Sequence, residues 1–167
     1  MKDSQKNLIL DWLRKVHRME WAHRYESQRW RRINLIFVFG VTSTLLAAAL
    51  SAIPNIPILS ENSIKLIVPI GAMIVAILSG LQTFLNPSEF SEKFRVKSDE
   101  FESLRHYIEE IIEFHCDDRS GEVNKELLKN VRERWDKIGS LNMSSDNFRI
   151  AGEKIDKLNR YPKELKF

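Results

Sequence analysis

The stretch LIVPIGAMIVAILSGLQTFL, Leu66 to Leu85, runs for twenty positions without a charge. At about 1.5 Å of rise per residue, a helix of that length matches a bilayer's hydrocarbon core, about 30 Å thick. A second stretch, INLIFVFGVTSTLLAAALSAI, Ile33 to Ile53, has similar length, and Asn34 is its only strongly polar member. Helices in soluble cores rarely stay apolar around their whole circumference for so long. The pair therefore predicts two membrane spans, 33–53 and 64–85, rather than a buried soluble hairpin. Whole-chain averages conceal this, since 29% charged residues and a mean hydropathy of −0.31 would suit an ordinary soluble domain.

A cleaved signal peptide is the competing reading of the first stretch, because LAAALSA carries small residues in an A-x-A-like pattern. The charged segment before it, Met1 to Arg32, is far longer than a signal peptide's short basic region, which favours an uncleaved span. The single cysteine, Cys116, can form no intrachain disulfide, so nothing points to an oxidising compartment.

Between the stretches lies PNIPILSENS, Pro54 to Ser63, whose two prolines and Ser/Asn-rich end predict a tight connection between antiparallel helices. Glu61 and Lys65 are the charges near this tip, whereas Arg14, Lys15, Arg18, Arg24, Arg29, Arg31 and Arg32 precede the first span. The positive-inside rule then puts both termini in the cytoplasm, with the run Arg29, Arg31, Arg32 and its neighbour Trp30 at the anionic headgroups. The expected organisation is an all-α membrane protein in three parts: an amphipathic basic cytoplasmic helix (1–32), a two-span transmembrane hairpin (33–85) and a cytoplasmic helical region (86–167). Residues 1–32 hold nine basic and four acidic side chains, and residues 86–167 hold sixteen basic and eighteen acidic. A near-neutral C-terminal half argues against nucleic acid as a partner.

Leu8, Trp12, Val16 and Met19 recur at helical steps, which predicts a helix over 8–30. After the second span, NPSE predicts a break and a new helix start with Ser88 as N-cap. Phe90, Phe94, Lys97, Phe101, Leu104, Ile108, Ile111 and His115 then alternate at four- and three-residue steps, a coiled-coil-like seam. Lys97 at a core position of that seam fits either a device that sets oligomer state or packing within the chain, against the N-terminal helix or a later one. DDRSGE, Asp117 to Glu122, reads as a turn. Further helices are expected over about 122–138, carrying Val123, Leu127, Val131, Trp135 and Ile138, and about 145–158, carrying Phe148, Ala151, Ile155 and Leu158. The tail RYPKELKF shows no clear period.

Signals for catalysis are absent from the sequence: there is no Gly-rich phosphate loop, no G-x-S-x-G and no H-E-x-x-H. His115, Cys116, Asp117 and Asp118 are adjacent, but neighbours on a helix point in different directions and read as a helix end rather than a metal site. No enzyme, cofactor or metal is expected. The polar residues inside the spans say more. Ala72, Ala76, Gly80 and Thr83, with Ser79 beside them, form a stripe of small residues on the second span. Gly40, Thr44, Ala47, Ala48 and Ser51 do so on the first. Such faces let membrane helices approach closely, and Ser and Thr can bond to their own backbone. Gln82 near the inner end of its span favours a partner: a neighbouring subunit, a water-filled lumen or the interface. Two spans cannot enclose an aqueous path, so any pore lined by these residues requires a homo-oligomer. Pro69 removes a backbone hydrogen bond and can bend the second helix.

A charged helix ending in RYESQRWRR, a two-span hairpin, the exit GLQTFLNPSEFSEKFR and an amphipathic helix containing EFESLRHYIEEI together resemble the SLATT domain family of bacteria. The resemblance covers about 14–138 and is best at Gly80, Leu81, Gln82, Thr83, Phe84, Pro87, Phe101 and Leu104. It implies a multi-pass protein of the bacterial inner membrane, an effector of antiphage systems that oligomerises, disrupts the membrane and stops growth. It also implies a nucleotide second messenger or a nucleotide-signalling protein as partner. Direct binding of a nucleotide would need a basic and aromatic pocket, for which Arg105, Arg132, Arg134 and Trp135 are the candidates. The alternative is a constitutive, non-conducting oligomeric scaffold that anchors a partner through the seam.

Overall fold

The computed structural model describes residues 3–51, 61–115, 125–139, 141–158 and 160–161. Among these the protein is all-α, with five helices: α1 (Asp3–Ser51), α2 (Glu61–Leu85), α3 (Pro87–His115), α4 (Lys125–Ile138) and α5 (Ser145–Lys157). Two of them, α1 and α2, contain the apolar stretches and are long and apolar enough to cross a membrane. The N-terminal amphipathic segment and the first apolar stretch belong to one unbroken helix, because no Pro or Gly interrupts 3–39. The Pro54 to Ser60 part of the connection, the turn at Asp117 to Glu122, Cys116, the side chains of Ser51 and His115, and Val123 lie outside the described residues.

The chain divides into two compact units, one comprising 29–91 and the other 1–28 with 92–167. The first is a helical hairpin whose exit is built by Asn86. That residue adopts a left-handed backbone (φ 38°), which Asn tolerates better than most residues. Its amide closes α2 by donating to the Gln82 carbonyl at 3.0 Å, and its own carbonyl accepts from the amides of Glu89 and Phe90 at 3.0 and 3.3 Å. Asn86, not Ser88, is therefore the N-cap of α3. The missing N–H of Pro87 costs nothing at the first helical position. The break is two residues tighter than the sequence predicts because one Asn serves both helices.

In the second unit, the early part of α1 packs between α3 and α5. Its core is Ile9, Leu13 and Val16 of α1, Phe101, Leu104, Ile108 and Ile111 of α3, Val131 of α4, Ile155 of α5 and Tyr161. Contacts from Glu20 to Arg105 and from Arg24 to Glu102 run in opposite senses along α1 and α3, so the two are antiparallel. Gly139 ends α4 with φ 62°, a left-handed position that Gly adopts without strain.

One sequence expectation changes here, and one open alternative is met within the chain. The buried face of α1 is Ile9, Leu13, Val16, Glu20 and His23, one residue round from the predicted stripe. Trp12 and Met19 are half-buried, and Leu8 is 41% exposed. The α3 seam is packed within the chain: Phe94, Phe101, Leu104, Ile108 and Ile111 are all buried. Lys97 makes intrachain bonds: its Nζ donates to the Ile138 carbonyl at the end of α4 (2.6 Å) and to Glu100 (2.7 Å).

Candidate functional site

The hairpin exposes an unusual amount of apolar surface. The most apolar 18-residue windows of its two helices have no buried residue. Ile36, Phe39, Leu46, Met73 and Phe84 are 64 to 87% exposed. Soluble monomers rarely present contiguous apolar patches beyond a few hundred Å². A buried soluble hairpin is thus not what the chain forms by itself.

The two helices meet along a seam of small residues. A Cβ built on Gly40 would lie 3.2 Å from the Leu78 Cδ1, and one on Gly71 would lie 3.7 Å from the Thr44 methyl. Gly71, Val75, Leu78, Gln82 and Leu85 form the half-buried face of α2 at alternating four- and three-residue steps. Ile33, Phe37, Gly40, Thr44 and Ala48 are the corresponding half-buried positions of α1. At the hairpin's exit, the Trp30 ring stacks on Phe90, centroids 4.9 Å apart. Phe90, the first position of the predicted seam, belongs to this clamp and not to the other unit's core.

The candidate lining residues therefore separate. Gly40, Thr44 and Gln82 lie on the hairpin's own inner face, with Ser79 half-buried beside it, whereas Ala72, Ala76, Gly80 and Thr83 are exposed. Among the described residues nothing lies within 4 Å of a Cβ on Gly80. The hydroxyls are satisfied locally. Thr44 donates to the Gly40 carbonyl at 2.7 Å and Thr83 to the Ser79 carbonyl at 2.9 Å, while Thr42 and Ser43 bond their own helix in the same way.

The other unit contains a polar layer that the sequence did not announce. Arg14, His17, Glu20, His23 and Glu26 of α1 and Ser98 of α3 are all buried. Glu20, 2% exposed, accepts from Arg105 Nε at 2.7 Å and faces Arg24 at 3.4 Å. Arg105 also donates to Glu109 at 2.9 and 3.0 Å, and Arg160 reaches Glu109 at 3.0 Å. Burial opposes the Arg105 charge, but the bonds to Glu20 and Glu109 outweigh it and its pKa is raised. Trp21 Nε1 donates to His17 Nε2 at 3.1 Å, which leaves Nδ1 as the protonated nitrogen and lets it donate to the Tyr161 oxygen at 2.9 Å. Desolvation, with repulsion from Arg105 and Arg160, lowers the His17 pKa to about 4. Burial pushes the Tyr161 hydroxyl up to about 12. His23 donates from Nδ1 to the Met19 carbonyl at 2.8 Å and packs on Phe101 and Phe94. Its Nε2 is buried without a partner among the described residues. Desolvation lowers its pKa as well.

The four candidate nucleotide contacts do not converge. Arg105 is held by Glu20 and Glu109, and Arg134 lies over the Tyr107 ring, 4.1 Å from its centroid. Arg132 and Trp135 share a cleft of about 280 Å³ with Trp12, Lys15 and Asp136. Among the described residues no group of three or more His, Cys, Asp or Glu is placed to hold a metal. Comparison with known protein families, with curated proteins and with solved structures finds no match to this chain.

Proposed function

We propose that the chain inserts 33–53 and 64–85 as two antiparallel spans in a bacterial inner membrane, with both termini cytoplasmic. There it acts without catalysis as an oligomeric, membrane-permeabilising effector of the SLATT type in antiphage defence. The observation that carries the membrane part is the hairpin's exposed surface: large apolar side chains around helices with no buried residue in their most apolar windows. Lipid is the solvent that such a surface matches. Small residues left outward on α2, Ala72, Ala76, Gly80 and Thr83, provide a face on which copies can pack closely. The effector role rests on the resemblance of the exit GLQTFLNPSEFSEKFR and of EFESLRHYIEEI. A nucleotide partner would find its stacking surface and positive charge in the cleft of Trp12, Trp135, Lys15 and Arg132.

The test is dye entry and membrane potential in cells after controlled induction of the chain, alone and with its neighbouring genes. Depolarisation that disappears in an Ile74→Lys/Ile77→Lys variant, which cannot insert, is the expected result. An unchanged potential in both settings, despite confirmed insertion, sinks the permeabilising role. That outcome favours a non-conducting scaffold, a reading supported by the placement of Gln82 on the hairpin's inner face and by the locally satisfied Thr44 and Thr83 hydroxyls.

A further inference from the structure

The outward face of α1 changes character where the hairpin unit begins. Arg31 and Arg32 are exposed, and among the described residues neither forms an ion pair or a hydrogen bond. Arginines of the other unit differ: Arg24 faces Glu20 and Glu102, and Arg105 is held by Glu20 and Glu109. Arg29, just before the two free guanidinium groups, is engaged within the chain.

Helical geometry aligns an apolar strip with these two charges. At about 100° of turn per residue, Leu35 and Phe39 fall in the angle between Arg31 and Arg32, and Ile36 lies about 40° beyond Arg32. All three are exposed, as is Leu46 further along the same strip. The inward side of the helix is occupied differently, with Trp30 stacked on Phe90 and with Ile33, Phe37 and Gly40 half-buried. At the same end of the hairpin α2 supplies no matching charge: its last turn contains no basic residue, and Phe84 there is exposed. The exposed cations and the apolar strip thus meet on α1 alone.

We infer that this outward face binds an anionic phospholipid of the phosphatidylglycerol class. Arg31 and Arg32 hold the headgroup phosphodiester, and an acyl chain lies along Leu35, Ile36 and Phe39. The inference rests on the membrane placement proposed above and names the lipid that this placement selects. Guanidinium forks match the paired oxygens of a phosphate group. In a zwitterionic lipid the headgroup ammonium offsets that phosphate, so two adjacent guanidinium groups favour a headgroup of net negative charge. Each basic side chain at such a surface is worth about fivefold in binding.

Insertion of the full chain and of each variant into phosphatidylcholine vesicles is measured first, by flotation and by resistance to carbonate extraction, with circular dichroism to establish that each is helical. The detergent-purified full chain is then equilibrated with equimolar phosphatidylglycerol and phosphatidylcholine of identical acyl chains, and the retained lipid is read by native mass spectrometry. Expected is a first retained lipid that is predominantly phosphatidylglycerol, with the preference falling about twentyfold in Arg31→Gln/Arg32→Gln. Arg95→Gln/Lys129→Gln removes the same charge from α3 and α4 and should keep the preference. Failure of the chain to insert sinks the membrane placement and the inference together. Equal retention of the two lipids by a chain that does insert, or a preference that survives Arg31→Gln/Arg32→Gln, overturns the inference alone. A species of doubled mass that carries no lipid assigns the face to a second copy and likewise overturns it.

Discussion

At the scale of single residues, the buried Glu20–Arg105 pair is the most consequential contact of the polar layer. Removing one partner of a buried ion pair strands the other charge in a poorly solvated site. Glu20→Ala should thus cost about 3–5 kcal/mol in denaturation of the detergent-purified protein. Glu20→Leu with Arg105→Met removes both charges and should recover most of that loss, because the desolvation penalty goes with them. The histidines set a pH dependence. His17, with a folded pKa of about 4, and His23, also lowered, stay neutral in the fold while the unfolded chain binds protons below about pH 6.5. Stability is therefore full above that pH and falls as pH drops toward 4. The melting temperature should decline between about pH 7.5 and about pH 5, with a shallower slope in His17→Gln. None of this was legible beforehand. Glu20 and His23 continue the Ile9, Leu13, Val16 stripe at the same spacing, but a polar residue at a core position reads as solvated until its partner on another helix is known.

At the scale of elements, the hairpin discriminates between glycines that look alike in sequence. Gly40→Val forces branched methyls against Leu78 and should destabilise the hairpin by about 1–3 kcal/mol, read as a lower melting temperature in mild detergent. A Cβ at Gly80 meets nothing within 4 Å among the described residues, so Gly80→Val should leave that stability within about 0.5 kcal/mol. If copies associate through the Ala72, Ala76, Gly80 face, cross-linking should nonetheless fall in Gly80→Val. A cross-linking pattern unchanged from the parent would exclude that face as the seam. Both stripes of small residues were visible as stripes. Which of them faces the hairpin partner was not, because α2's half-buried face runs through Gly71, Val75, Leu78, Gln82 and Leu85 instead. The seam on α3 was legible at Phe94, Phe101, Leu104, Ile108 and Ile111 but not at Phe90, and its partner was one of three possibilities.

At the scale of the whole molecule, the proposed topology has a direct readout in the single Cys116. A membrane-impermeant maleimide should fail to label it in intact spheroplasts and should label it after lysis. In a Cys116→Ser background, Asn55→Cys, in the segment that the proposed topology places outside, should label already in intact spheroplasts. Labelling of Cys116 in intact spheroplasts would invert the assigned orientation and with it the use made of the Arg29, Arg31 and Arg32 run.

Length and apolarity are properties of a continuous segment, so the sequence by itself determined that the described residues are predominantly helical and include two helices long and apolar enough to span a membrane. The periodicity of 94–111 likewise marked which side of α3 is buried, because spacing along a helix translates directly into a face. Tertiary structure alone decided what those faces meet. Glu20 with Arg105, His17 with Tyr161, Arg18 with Phe148 and Lys97 with Ile138 join residues 41 to 144 positions apart. A polar side chain is tolerated in an interior only when such a distant partner satisfies it. That pairing is a fact about space, and no local pattern of residues encodes it.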